Sequence, residues 1–172
     1  MLKEYLLVDG YNIIFSWPEL HELAMENMEA ARYTLADRLC NFQGFKKNEV
    51  ILVFDGHKSK GNIGSILHYN NIDIVFTKEA ETADQFIEMV TQQIGNKYSI
   101  RVATSDATEQ IIILGRGATR LSARELKNEL EMSEEAIRQT YLEKCAKKRN
   151  GLFDSVSPEM AAMLEKMRLK ED

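Results

Sequence analysis

Residues 6–15 read LLVDGYNIIF: an apolar strand pattern delivers a carboxylate, Asp9, to its end, with glycine and asparagine following at once. Three unbroken apolar positions before Asp9, without polar alternation, describe a central strand covered on both faces. Working outward, VILVFD at 50–55 repeats the design and again ends in Asp-Gly. IDIVF at 72–76 reads as a third strand, IRVATSD at 100–106 contains a fourth that runs to Asp106, and ATRL at 118–121 offers a short fifth.

Helical periodicity fills the intervals. Ala31, Leu35, Leu39 and Phe42 recur every three or four residues, with Gly44 as the stop. Thr82 and Gln85 form a capping box for a helix with Ala83, Phe86, Ile87, Val90 and Ile94 on one face, closed by Gly95. A short helix through TEQIIIL at 108–114 follows the fourth strand. Ser122 with Glu125 opens another helix through Leu130, Ser133 restarts the pattern, and Ser157-Pro158 begins a last one. Residues 56–71, GHKSKGNIGSILHYNN, read as an exposed loop. The order β-α-β-β-α-β-α predicts an α/β domain, a three-layer α/β/α sandwich around a mostly parallel sheet.

The 172 residues suffice for one substantial core, and 44% hydrophobic with 28% charged residues describes a folded globular chain. No apolar run approaches the roughly 20 residues that span a bilayer, and the N-terminal residues lack a signal-peptide pattern. Cys40 and Cys145 form no metal-binding spacing. The expectation is a cytoplasmic protein without membrane association. Its net charge of −5 confines any nucleic-acid contact to local basic clusters: Lys58 with Lys60, the segment holding Arg116, Arg120, Arg124 and Lys127, and Lys144 to Arg149.

Parallel strands place their C-terminal ends on one edge, where open α/β folds bind ligands. Asp9, Asp55 and Asp106 all reach that edge, and Asp84, at the second position of the Thr82-capped helix, is the fourth contributor, with Glu81 just ahead of it. Each has an ordinary structural explanation as a turn or helix-start residue. Together they raise one another's pKa, and a hard divalent cation offsets that repulsion. Carboxylates with the Asn12 amide are oxygen donors, which suit Mg2+ or Mn2+, one ion or two, and not zinc. Such a site suits phosphodiester hydrolysis by an activated water. Thr104 and Ser105 either contact a phosphate or merely close the strand. Tyr11 and Trp17 either stack on an unpaired base or pack onto the sheet.

The motifs VDGYNII (8–14), VFDG (53–56), FTKEAETAD (76–84), VATSDATEQ (102–110) and GRGATRLSARELKNEL (115–130) together resemble the YacP-like branch of the NYN nucleases, within the PIN-like superfamily. The resemblance covers residues 3–131 and implies a metal-dependent endoribonuclease. It carries the metal cluster onto Asp9, Asp84 and Asp106, aligns Asn12 with the asparagine of the opening motif, and leaves Asp55 and Glu81 as additional acids at the margin. It implies messenger RNA as substrate and the ribosome as partner, with no organic cofactor. Tyr11, Lys58, Lys60, Arg116, Arg120 and Arg124 are the expected substrate contacts. Residues 1–131 form the expected nuclease domain, and 132–172 C-terminal helices packed on it. The rival readings are a non-catalytic RNA- or ribosome-binding module and a Mg2+-dependent phosphomonoesterase. The phosphomonoesterase is weakened because Tyr11 stands where an aspartyl-nucleophile enzyme needs a second aspartate. Neither a P-loop nor a G-x-G-x-x-G turn is present.

Overall fold

The computed structural model describes residues 3–56, 63–106, 117–154 and 157–168. Six strands form one sheet in the order β3-β4-β2-β1-β5-β6. They are β1 (Glu4–Asp9), β2 (Glu49–Phe54), β3 (Ser65–Tyr69), β4 (Ile72–Phe76), β5 (Ser99–Ala103) and β6 (Thr119–Leu121). Five are mutually parallel, and β3 alone runs antiparallel, paired to β4. The chain builds outward from β1 through β2 to β4 on one side, then crosses back to lay β5 and β6 on the other. The switch in direction therefore falls between β1 and β5.

The helices are α1 (Gly10–Ser16), α2 (Pro18–Glu26), α3 (Met28–Lys46), α4 (Ala83–Ile94), α5 (Ala123–Asp154) and α6 (Pro158–Arg168). Period-two alternation along the strands sorts the core into two layers. Leu6, Val8, Leu52 and Phe54 pack with Ile13, Leu35, Leu39, Phe42, Leu126 and Leu130. Leu7, Val53 and Val102 face the opposite way, with Ala83 and Ile87 of α4. Each of these fully buried large side chains contributes on the order of 1.5–3 kcal/mol of burial free energy. The result is the α/β/α sandwich expected from the strand and helix order.

Four local expectations are corrected. The stretch 56–71 is not all loop: Ser65–Tyr69 is an edge strand, joined to β4 by a tight turn at Asn70 and Asn71 in which Asn70 takes φ 51°. Its exposure on both faces hides it from a burial-pattern reading, because neither face supplies the apolar alternation that marks a strand. Two short helices, α1 and α2, occupy residues 10–26, where no element was expected. α3 runs through Gly44 and ends at Lys46, with Lys47 in the left-handed conformation (φ 62°) as its C-cap. Finally, Ser133 does not restart a helix. α5 is continuous, and the buried Ser133 hydroxyl donates back to the Leu130 carbonyl at 2.7 Å, so it acts within a helix instead of capping one.

The reciprocal caps at Thr82/Gln85 and Ser122/Glu125 are both formed, with bonds of 2.7–3.2 Å. The helix expected through 108–114 lies outside the described residues. Residues 1–133 and 134–172 form two compact units, with the boundary inside α5. Among the described residues, no helix is long and apolar enough to cross a membrane.

Candidate active site

β1 ends on Asp9, which is both the last residue of the strand and the N-cap of α1, its Oδ1 accepting the Asn12 backbone N–H at 3.3 Å. The opening Asp-Gly-Tyr-Asn therefore turns a strand directly into a helix. Gly10 has an ordinary negative φ. Its role is close approach: a Cβ there would stand 2.3 Å from Cε1 of the buried Phe54 ring.

Asp9 is 8% exposed. Its capping bond favours the charged form, yet burial outweighs it, and the neighbouring acids Asp84 and Asp55 add to the rise. The Asp9 carboxyl is pushed up to about 7, burial being the main cause and the nearby Asp84 side chain the next that raises it. Alternation explains the grouping. Asp9 pairs in register with Val53, which faces the α4 layer, and Asp55 lies two residues further along that same face. Asp84 reaches them from the first turn of α4, where the helix dipole favours a carboxylate.

Several bonds hold the loop after β5. Thr104 N–H donates to the Leu121 carbonyl at 3.0 Å. Ser105 N–H donates to Asn12 Oδ1 at 2.7 Å, Asp106 N–H to Thr104 Oγ1 at 3.1 Å, and Ala123 N–H to Ser105 Oγ at 3.3 Å. The Trp17 indole N–H closes the set on the Ala123 carbonyl at 2.9 Å. Asn12 thus joins the ends of β1 and β5 across the topological switch. Its amide oxygen holds the β5 loop, while only its backbone N–H touches Asp9. These bonds tie Thr104 and Ser105 to β6, α1 and α5, in keeping with the strand-closing alternative. Trp17, 2% exposed, packs into the core and is not a base-stacking surface.

Asp106 is exposed on this loop. Among the described residues, no group of three or more His, Cys, Asp or Glu side chains is gathered closely enough to hold a metal ion. Asp9 and Asp84 are therefore brought together, with Asp55 within electrostatic range, whereas a complete Asp9–Asp84–Asp106 triad is not. The donor chemistry nevertheless fits a hard divalent cation: a buried acid and its acidic neighbour offer only oxygen, and their mutual repulsion on ionisation is what such an ion would offset.

Glu81 sits at the α4 entrance, its backbone carbonyl accepting the Thr77 hydroxyl at 2.6 Å. Tyr11 is half-buried, its ring 5.0 Å from that of Phe54. Arg120 and Arg124 are exposed around the end of β6 and the start of α5. Lys127, grouped with them in the sequence, instead forms an ion pair with Glu19 at 2.7 Å. Lys58, Lys60 and Arg116 lie outside the described residues.

Residues 6–169 match the family model of the YacP-like NYN domain. The chain is 41% identical over 166 residues to protein YacP of Bacillus subtilis (strain 168), covering 96% of each. The crystal structure of Rae1 (YacP) from Bacillus subtilis matches with a TM-score of 0.73 at 41% identity, over 95% of this chain and 94% of that one. A single-substitution variant of the same protein matches with a TM-score of 0.72 at 36% identity, over 95% and 99%. The fold and these likenesses agree: the chain belongs to the YacP-like NYN domain family, a nuclease-like family with the PIN-like α/β/α fold.

Proposed function

We propose that this protein is a metal-dependent endoribonuclease that hydrolyses phosphodiester bonds in single-stranded RNA, with messenger RNA at the ribosome as the setting that the family resemblance suggests. The observation that carries the reading is the buried Asp9 carboxyl at the C-terminal edge of the sheet, with Asp84 and Asp55 close enough to raise its pKa further. A purely structural strand end has no use for a buried carboxylate with further acids set around it.

In this reading Asp9, Asp84 and Asp106 would hold Mg2+ or Mn2+. Such an ion, when bound, lowers the pKa of a water and neutralises charge developing on phosphate oxygens. Asn12 fixes the loop that carries Asp106 relative to the strand that carries Asp9, so the third acid is positioned without ligating through Asn12 itself. Asp55 acts on Asp9 electrostatically, and Glu81 is proposed to add to the negative potential. Arg120 and Arg124 supply phosphate contacts that offset it, and Lys58, Lys60 and Arg116 are proposed to do the same. A single strand is favoured because a scissile phosphate must be approached closely, which an A-form duplex resists.

The test is cleavage of an end-labelled single-stranded RNA by wild type, with and without EDTA, and by Asp106→Asn and Asp84→Asn. Internal cleavage that needs the divalent ion and falls at least 100-fold in both folded variants is expected. A folded Asp106→Asn protein that cuts at the wild-type rate overturns the site assignment.

The rival reading, a non-catalytic RNA- or ribosome-binding module, draws on the incomplete gathering of the three acids among the described residues. It predicts RNA binding that EDTA leaves unchanged and no cleavage with either metal.

A further inference from the structure

On the opposite face of the sheet from Asp9, but at the same edge, a cleft of about 110 Å3 is lined by Glu29, Arg32, Tyr33, Leu67, Ile74 and Phe76, with Phe54 beneath. Phe54 and Phe76 are register partners that end β2 and β4, and their rings stack with centroids 5.6 Å apart at 25°. The Arg32 guanidinium lies over both, 6.0 Å from the Phe54 centroid and 5.7 Å from that of Phe76. These cation–π contacts hold a planar fork of donors in place. Among the described residues, no hydrogen bond or ion pair engages that fork. Glu29, one turn earlier on α3, opens onto the same cleft without pairing to it. Tyr33 and Leu67, 41% and 43% exposed, form its open rim.

This is a half-buried arginine with unused donors and an aromatic floor, beside an exposed carboxylate. The cleft is well below the roughly 300–1,000 Å3 of pockets for whole organic ligands, so it admits one planar ring system and not a cofactor. Two neighbours lie between it and the acidic site. Asp55 follows Phe54 in the chain, and Tyr11, which follows the Asp9 turn, packs its ring on Phe54.

We infer that this cleft is a subsite for one unpaired base of the RNA substrate, and that its donors and acceptors select guanine. The inference rests on the ribonuclease reading. Arginine pairs bidentately with the O6 and N7 acceptors of guanine. The Glu29 carboxylate, one turn away on the same helix, accepts from the N1–H and N2 amino donors of the same base. Tyr33 and Leu67 supply the walls against which an extruded base packs. No other standard base offers two adjacent donors and two adjacent acceptors on neighbouring edges.

The experiment measures binding of 5′-labelled pentaribonucleotides UUGUU, UUAUU, UUCUU and UUUUU by fluorescence anisotropy, with EDTA present so that cleavage cannot contribute. Wild type is expected to hold UUGUU at least tenfold more tightly than the others. Arg32→Ala and Arg32→Lys are expected to abolish that preference, because lysine keeps the charge and loses the fork. Glu29→Gln and Tyr33→Ala alter exposed side chains and leave the core intact. The first is expected to reduce the preference and the second to weaken binding of all four oligonucleotides.

Equal affinity for all four, or a preference that survives in the Arg32 and Glu29 variants, overturns the subsite. A parallel cleavage assay on wild type separates the two ideas. Metal-dependent cleavage without a guanine preference leaves the nuclease reading standing and removes the subsite. A guanine preference lost in the variants, with no cleavage at any metal level, keeps the subsite and removes the catalysis.

Discussion

Asn12 Oδ1 accepts the backbone N–H of Ser105 at 2.7 Å, tying residues 93 positions apart across the boundary between β1 and β5. Local order at the acidic edge depends on this bond more than global stability does. Asn12 is half-buried and Ser105 exposed, so water can replace the lost partner. Asn12→Ala is expected to cost only about 0.5–1.5 kcal/mol of unfolding free energy in urea. Under the proposed function it lowers cleavage by about 100-fold, the penalty for a loop displaced by an ångström. Activity loss no larger than the stability loss accounts for would show that the bond does not position the site.

Asp9 gives a pH signature with a definite sign. Its folded-state pKa, near 7, lies above its ordinary value of 3.8. Between those values the folded protein binds more protons than the unfolded chain, so stability falls as pH rises through this window. The full displacement corresponds to about 4 kcal/mol, absent below pH 3.8 and complete above pH 7. Asp9→Asn retains an oxygen for the Asn12 N–H and removes the charge. The variant is expected to be more stable than wild type at pH 8, by up to that amount, with the advantage vanishing towards pH 4. Added Mn2+ stabilises wild type at pH 8 and leaves the variant unmoved if the acids bind it. A stability difference that stays constant from pH 4 to pH 8 would contradict the burial argument.

Much of this was legible from residue order, and the reason differs by element. Strands β1, β2 and β4 announce themselves because a parallel strand covered on both faces has no room for polar residues. Thr82/Gln85 and Ser122/Glu125 mark helix starts because caps are local chemistry. β3 escaped because an exposed edge strand carries no burial signal, and its pairing is dictated by β4 instead. α1 was hidden by its own N-cap: Asp9-Gly10 reads as a turn, and only the Phe54 ring shows why glycine stands there. The Asp9–Asp84 contact follows from strand parity and the α4 cap, both visible in sequence. The Arg32 cleft does not, since it needs the register of Phe54 against Phe76 and the placement of α3 above them. The attachment of Asn12 to Ser105 likewise had no sequence signal, because the donor is a backbone N–H that every residue but proline carries.

Gly10 tests the packing beneath the site. The space that a Cβ would require is already occupied by the Phe54 ring, which is itself stacked on Phe76. Gly10→Ala must displace that ring or shift α1, at a cost of about 1–3 kcal/mol. The helix propensity of alanine recovers at most about 1 kcal/mol of it. Net destabilisation in urea is expected, accompanied by weaker guanine binding, since Phe54 floors the cleft. A variant as stable as wild type would mean that the ring has somewhere to go.

Trp17 is the chain's single tryptophan, and its indole N–H reaches Ala123, 106 residues away, at the start of α5. The Arg38 guanidinium lies 5.2 Å from its ring. The residue therefore anchors the α1–α2 junction to α5 through one polar contact and otherwise by packing. Trp17→Phe keeps an aromatic ring in the core and deletes the donor, which predicts a loss of about 1 kcal/mol from the hydrogen bond plus a cavity contribution from the smaller ring. Trp17→Ala removes both and is expected to cost about 3–5 kcal/mol. Because the same Ala123 donates its N–H to Ser105 Oγ, Trp17→Phe also loosens the Asp106 loop. Amide exchange at Ser105 and Asp106 should quicken more than exchange in α4. Uniform acceleration across both regions would assign Trp17 to global stability alone.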